Sequence, residues 1–181
     1  MFLMKRLKKI LLCLVALAGL FLVAGFLLPA RARVERSATM RAKPEAVFAR
    51  AALLKRWPEW TAWTTNRFPD LNLRFDGPES GVGAVMIAEG KSSGDGTVKI
   101  TRAEPATGVW YDLHVEHGNL DFQGAITFVP VGDALIVTWA IETGLGANPL
   151  KRWAGLLLDK LMGGDMAEGL ANLKRLTEAT Q

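Results

Sequence analysis

Two kinds of periodicity divide the middle of the chain. Apolar and polar residues alternate over Arg33–Met40, which predicts a strand, and Pro44 then opens a helical stretch that breaks near Pro58. Over Leu71–Gly144 the apolar residues recur at every second position between groups of turn residues. This pattern predicts two short helices and then six further strands, for which an antiparallel meander is the most economical topology.

The last third of the chain carries apolar residues at helical spacing. Pro149, which suits a first helical turn, follows Asn148, a residue type that caps helices. Further along, Gly163-Gly164 separates two apolar stripes of different phase, and Asp165 with Glu168 resembles a capping box. The pattern predicts either two helices or one kinked helix over 149–180, interrupted at the glycine pair. The first stripe comprises Trp153, Ala154, Leu157, Leu158 and Leu161, and the second comprises Met166, Leu170, Leu173 and Leu176.

An uncharged apolar segment, Ile10–Leu28, lies near the N-terminus and is nineteen residues long. A helix of this length is about long enough to cross the hydrocarbon of a bilayer. Ala30-Arg31-Ala32 has the spacing of a signal-peptide cleavage site, but the apolar run exceeds the usual signal-peptide core of about 7–15 residues. This favours an uncleaved single-pass anchor over 1–32, followed by one domain over 33–181. Four basic residues precede the segment, and we expect the domain on the extracytoplasmic side.

The charges of the predicted domain are nearly balanced. Five of the 22 Lys and Arg residues precede residue 33, which leaves 17 beside the 18 Asp and Glu residues. The basic character of the whole chain therefore does not indicate a nucleic-acid partner. The single cysteine, Cys13, lies in the apolar segment, which excludes disulfide and cysteine-zinc chemistry within 33–181. We expect neither a metal nor a cofactor.

Several short segments resemble one protein family. They are Lys43-Pro44-Glu45-Ala46-Val47-Phe48, Arg56-Trp57-Pro58-Glu59-Trp60, Gly77-Pro78, Gly81-Val82-Gly83, Val137-Thr138-Trp139 and Gly169-Leu170-Ala171-Asn172-Leu173-Lys174. They make the region from Arg33 to Glu178 similar to the polyketide cyclase/dehydrase and lipid-transport branch of the START-like (SRPBCC) superfamily. The resemblance implies an α+β helix-grip fold, in which a curved antiparallel sheet of about seven strands closes over a C-terminal helix and an apolar cavity. One departure is Leu53, where members commonly carry an aspartate between the two short helices.

In such a fold, inward-facing side chains of the strands and of the C-terminal helix would line the cavity. Trp57 and Trp60 are interpreted as locking the short helices onto the sheet, and Leu170 and Leu173 as sealing the far end. The predicted ligand pocket comprises Trp63 and Phe68 at its mouth, with Phe75, Tyr111, Leu113, Phe122, Ile126, Val137, Trp139, Trp153, Leu157 and Leu161.

Groups capable of acid–base catalysis are few in the sequence. Tyr111 and His117 are the candidates for proton transfer, whereas His114 shares a strand face with Asp112 and Glu116 and is expected to face solvent. No Ser/His/Asp order, HExxH motif or glycine-rich phosphate loop is present. The sequence therefore favours binding over catalysis.

Three functions stay open at this point. The first is a membrane-tethered module that binds a lipid-like or polycyclic hydrophobic small molecule, with residues 10–28 in the bilayer. The second, implied by the family resemblance, is an aromatase/cyclase-like enzyme that uses Tyr111 or His117 on a polyketide-type substrate. The third is a non-catalytic interaction domain whose cavity is filled by its own tryptophans.

Overall fold

A single antiparallel sheet of seven strands forms the centre of the fold in the computed structural model, which describes residues 2–116 and 120–179. Its order is β1-β7-β6-β5-β4-β3-β2, so that β2 to β7 form a meander and β1 closes on β7. The predicted helix-grip class and the consecutive strands are thereby confirmed. The strands are β1 (Arg31–Met40), β2 (Asn72–Asp76), β3 (Val85–Glu89), β4 (Gly96–Glu104), β5 (Gly108–Val115), β6 (Leu120–Val131) and β7 (Ala134–Gly144).

Alternation along the strands separates a covered face from an open face. In β5, Tyr111 and Leu113 are buried, whereas Asp112 between them is exposed. The register places Tyr111 opposite Gly124 of β6, and Ile126 of β6 opposite Trp139 of β7. The apolar face of the sheet is therefore continuous across its central strands.

Four α-helices and one short 3₁₀ helix accompany the sheet: α1 (Phe2–Leu27), α2 (Pro44–Ala51), the 3₁₀ helix (Leu54–Glu59), α3 (Pro149–Gly155) and α4 (Leu158–Glu178). The two short helices predicted after the first strand are α2 and the 3₁₀ helix. Leu53 occupies the cap position before the 3₁₀ helix and supplies no side-chain hydrogen bond there. The 3₁₀ helix therefore forms without a side-chain cap at its start.

The break between the two C-terminal helices lies at Leu156-Leu157, which corrects the predicted position at Gly163-Gly164. Helix α4 continues through both glycines, because tertiary packing outweighs their low helix propensity. A Cβ built at Gly163 would overlap the guanidinium of Arg36, so the glycine gives this side chain room to reach Asp159.

Of the two residues predicted at helix starts, Asp165 and Asn148, only Asn148 caps a helix. Asp165 lies inside α4 rather than at a helix start, and its carboxylate accepts a 2.8 Å hydrogen bond from Arg67. Asn148 is the predicted cap of α3, since its Oδ1 accepts from the backbone N–H of Leu150 at 2.9 Å and of Lys151 at 3.3 Å.

The chain divides into two compact units. One, the helical unit, contains the residues up to Ala32 and Gly144–Leu157; the other, the sheet unit, contains Arg33–Thr143 and the residues from Leu158 onward.

Within the helical unit, α3 packs against the second half of α1. The Trp153 indole stacks on the Phe21 ring, with 4.6 Å between ring centroids, and its Nε1 donates to the Phe21 carbonyl at 3.1 Å. Gly25 permits this approach, because a Cβ there would lie 2.7 Å from that of Pro149.

Arg152 closes the C-terminal end of α1. Its Nη1 donates to the carbonyls of Phe26 at 2.7 Å and Leu28 at 3.1 Å, and its Nε donates to the Gly146 carbonyl at 2.9 Å. A cation is favourable at this position because the last carbonyls of a helix lack intrahelical donors and carry partial negative charge. The segment between β7 and α4 is therefore fixed to α1 by both apolar and polar contacts.

Candidate ligand cavity

A cavity of about 270 Å³ lies between the sheet and the first turns of α4. Strands β3 to β6 form its wall, the turn before β4 forms one end, and Trp63 covers one side. Its lining is almost entirely apolar, as expected of a site that selects ligands by burial of hydrophobic surface. The lining residues are Trp63, Met86, Ala88, Ser93, Gly94, Asp95, Gly96, Val98, Leu113, Val115, Leu120, Phe122, Leu158, Leu161 and Met162.

A second, smaller cavity of about 110 Å³ adjoins the first. Trp63, Leu113 and Met162 line both, so the two compartments share part of their walls. The smaller compartment differs in carrying polar groups, because Tyr111 and Asp165 contribute to its wall. Its full lining is Ala62, Trp63, Tyr111, Leu113, Trp139, Ile141, Met162, Asp165 and Met166.

Tyr111 is held rigidly in the wall of the smaller compartment. Its side chain is 2% exposed, and its hydroxyl oxygen accepts a 2.7 Å hydrogen bond from Nε1 of Trp139. Trp57 meets the phenol ring edge-on, with 5.0 Å between centroids and 80° between planes. Burial raises the pKa of Tyr111 well above its ordinary value of 10.0, because the phenolate would lose its hydration. The phenol is therefore neutral throughout the physiological range.

An aromatic cluster behind Tyr111 connects the short helices to the sheet, as predicted for Trp57 and Trp60. Trp57 Nε1 donates to the Ala51 carbonyl at 2.9 Å, and the Trp60 ring meets Trp139 edge-on at 5.1 Å. Both side chains are at most 1% exposed. Nε1 of Trp60 has no hydrogen-bond partner among the described residues.

An ion pair lies at the edge of the smaller compartment. Arg67 Nη1 and Asp165 Oδ1 are 2.8 Å apart, and each side chain is nearly half exposed. The Arg67 guanidinium also lies over the ring of Phe68, 5.4 Å from its centroid. Asp165 is thus already neutralised by a neighbouring cation, which makes it unsuited to act as a general base.

The structure brings six of the predicted pocket residues into the two cavities. Phe122 and Leu161 line the larger compartment, Tyr111 and Trp139 line the smaller, and Trp63 and Leu113 line both. Residues not anticipated from the sequence include Met86, Leu158 and Met162. Leu158 and Met162 lie at i and i+4 around the predicted Leu161 at i+3, so the helical spacing at the start of α4 could have indicated both as pocket residues.

The other predicted pocket residues lie elsewhere. Ile126 and Val137 are fully buried in the core, and Phe68 packs beside Arg67. Phe75 is 38% exposed on the edge strand β2 and lines a shallow depression with Leu54 and Pro78. Trp153 stacks on Phe21, and Leu157 is 56% exposed at the helix break.

Of the two candidates for proton transfer, Tyr111 falls within the described residues, where it lines the smaller compartment. His117 lies outside the described residues. The His114 ring is on the open face, where its Nδ1 is 2.7 Å from Oδ1 of Asp121, and it lines neither cavity. Among residues 2–116 and 120–179, no group of three or more His, Cys, Asp and Glu side chains is arranged to hold a metal ion.

The seven-strand sheet and the long C-terminal helix, with an apolar cavity between them, define a helix-grip fold. Residues 31–178 match the family described as polyketide cyclase/dehydrase and lipid transport, and the chain belongs to that family. A comparison with curated proteins gave no match.

Solved structures share the fold at low sequence identity. Norcoclaurine synthase from Thalictrum flavum, in complex with dopamine and hydroxybenzaldehyde, is 11% identical with a TM-score of 0.62; the alignment covers 88% of this chain and 93% of that one. The di-domain ARO/CYC StfQ from the steffimycin biosynthetic pathway is 13% identical with a TM-score of 0.61, over 83% of this chain and 52% of that one. Ara h 8.0201 is 16% identical with a TM-score of 0.53, over 79% of this chain and 98% of that one.

Proposed function

We propose that this protein binds a lipid-like or polycyclic hydrophobic small molecule in the two compartments between the sheet and α4. The observation that supports this most directly is the apolar cavity of about 270 Å³ inside the sheet unit. Binding there would remove apolar ligand surface from water, at about 25 cal/mol for each Å² buried. Membership of a family that includes lipid-transport proteins is consistent with such a ligand.

The same proposal places α1 in a bilayer. Over Arg6–Leu27 this helix is long and apolar enough to cross a membrane, and only 6% of its most apolar stretch is buried within the protein. Leucines such as Leu12, Leu17 and Leu20 are more than 60% exposed, and water would hydrate them unfavourably. The sheet unit would then lie on the extracytoplasmic side, close to a reservoir of apolar molecules.

A cyclase-like reaction is the second candidate, because Tyr111 lines the smaller compartment and the family includes cyclases. Two features weigh against it. The raised pKa of Tyr111 makes the phenol a poor proton donor to a reacting group, and Asp165 is paired with Arg67. A neutral phenol in this position is better suited to hold a ligand by a hydrogen bond than to transfer a proton.

The binding proposal is tested with N-phenyl-1-naphthylamine, a neutral apolar fluorophore, added to the full chain in lipid nanodiscs. Ala88→Phe places a ring in the larger compartment, whereas Ala106→Phe makes the same change at an exposed turn. We expect fluorescence enhancement above that of empty nanodiscs for the unchanged chain and for Ala106→Phe, with the excess lost in Ala88→Phe. Equal enhancement in all three proteins, or none above empty nanodiscs, would show that the cavity does not take up apolar molecules.

A further inference from the structure

Tyr111 lines the smaller compartment, and no described residue accepts the proton of its hydroxyl. Its oxygen accepts the Trp139 indole N–H at 2.7 Å, and an indole nitrogen can only donate. The phenolic proton therefore has to find a different acceptor. Within 2–116 and 120–179, no protein group is placed to accept it.

A ligand that fills the smaller compartment determines whether this donor is satisfied. The Tyr111 side chain is 2% exposed, and its neighbours in the smaller compartment are mainly apolar, among them Leu113, Ile141 and Met166. A buried donor without a partner costs about 1–3 kcal/mol relative to one that is satisfied. A ligand oxygen that accepted this proton would recover that free energy, whereas a hydrocarbon ligand would not.

The phenol ring is held in place by its neighbours. On one side its ring covers Gly124, where even a methyl group would overlap it, and on the other the Trp57 ring meets it edge-on. Trp139, which orients the hydroxyl, is itself held by the edge of the Trp60 ring. The ring that carries the donor is thus fixed before any ligand arrives and only its hydroxyl hydrogen can rotate, which reduces the entropy lost on binding.

We propose that Tyr111 selects ligands carrying a hydrogen-bond acceptor oxygen, such as a ketone or ester carbonyl, with this oxygen in the smaller compartment and the apolar body in the larger. Trp139 acts as a positioning residue, because its indole N–H fills one acceptor site of the phenol oxygen and leaves the phenolic proton for the ligand. This inference rests on the proposed binding function and specifies the class of ligand within it.

The test compares two ligands of nearly the same shape, 9-fluorenone and fluorene, of which only the first has a carbonyl. Each displaces N-phenyl-1-naphthylamine from the full chain in nanodiscs, and the measured quantity is the ratio of their apparent affinities. Because the two molecules also partition differently into lipid, the ratio is compared between the unchanged chain and Tyr111→Phe in the same nanodiscs. We expect the preference for fluorenone to fall by about 2- to 10-fold in Tyr111→Phe, corresponding to one neutral hydrogen bond.

A second variant tests whether the hydrogen bond from Trp139 to the phenol oxygen contributes to ligand selection in addition to the Tyr111 hydroxyl itself. Trp139→Phe keeps the phenol but frees its oxygen, and we expect a ratio between those of the unchanged chain and Tyr111→Phe. If fluorene binds and the ratio is the same in all three proteins, the carbonyl selection is wrong while the binding function stands. If neither ligand displaces the fluorophore from any of them, the binding function itself is wrong.

Discussion

Tyr111 of β5 lies opposite Gly124 of β6, and its ring occupies the space into which any side chain at position 124 would project. A tyrosine that would otherwise stand upright on the sheet is thereby able to lean across the neighbouring strand. This relationship fixes the hydroxyl at the wall of the smaller compartment.

We expect Gly124→Ala to destabilise the folded state by about 1–3 kcal/mol, because the ring must move within a close-packed core. Thermal unfolding of the full chain in detergent, followed by circular dichroism, measures this effect. Gly164→Ala is the matched control: the position lies in α4 with open space around it, so removal of a helical glycine should stabilise by about 0.5–1 kcal/mol. A midpoint for Gly124→Ala at or above that of the unchanged chain would contradict the overlap.

Stability should fall at alkaline pH through Tyr111. Below its ordinary pKa of 10.0 the phenol is protonated in both folded and unfolded chains, so the contribution of its burial is fully present. Above that pH the unfolded chain releases the proton while the raised pKa keeps it on the folded chain, and stability decreases as pH rises. The chain has one tyrosine, so ultraviolet difference absorbance reports Tyr111 alone. Tyrosinate should appear only together with unfolding; its appearance near pH 10 in a chain that retains its near-ultraviolet circular dichroism would refute the burial.

Trp153 should be accessible to lipid if α1 spans a bilayer. Its indole stacks on Phe21, which lies within the apolar stretch Arg6–Leu27. In vesicles of phosphatidylcholine brominated on its acyl chains, we expect Trp153→Phe to remove most of the tryptophan fluorescence that bromine quenches. Trp110→Phe, which changes an indole lying under Arg102 on the open face of the sheet, is the control. Equal residual quenching in the two variants would argue against a membrane location for α3.

Local periodicity predicted the sheet because the central strands of this meander each have one covered face and pair with strands adjacent in sequence. The alternation in β5 was sufficient to place Tyr111 and Leu113 inside. It did not separate core from cavity: Ile126 and Val137 share that face, yet they are fully buried without lining either compartment. Tertiary packing decides which part of a covered face packs against a helix and which part lines a cavity. The alternation of residues along one strand does not carry this information.

The helical pattern failed at the end of α3, whose last residue is Gly155. The stripe from Trp153 to Leu161 keeps its helical spacing across this glycine and the break at Leu156-Leu157, so it reads as continuous although its two ends belong to different helices. Conversely, Gly163-Gly164 predicted a helix break, but α4 is continuous through both glycines. The space required by the Arg36 side chain explains Gly163, and only long-range contacts reveal that requirement.

The attachment of α3 to α1 affects how soluble fragments of this protein should be interpreted. A chain shortened to begin at Arg33 would leave Trp153 without the ring it stacks on and Arg152 without two of its three carbonyl acceptors. Leu150 and Leu156, already more than half exposed, would then join Trp153 in a newly exposed apolar surface. Self-association of such a fragment would be a product of the truncation, and its oligomeric state would not describe the full-length protein.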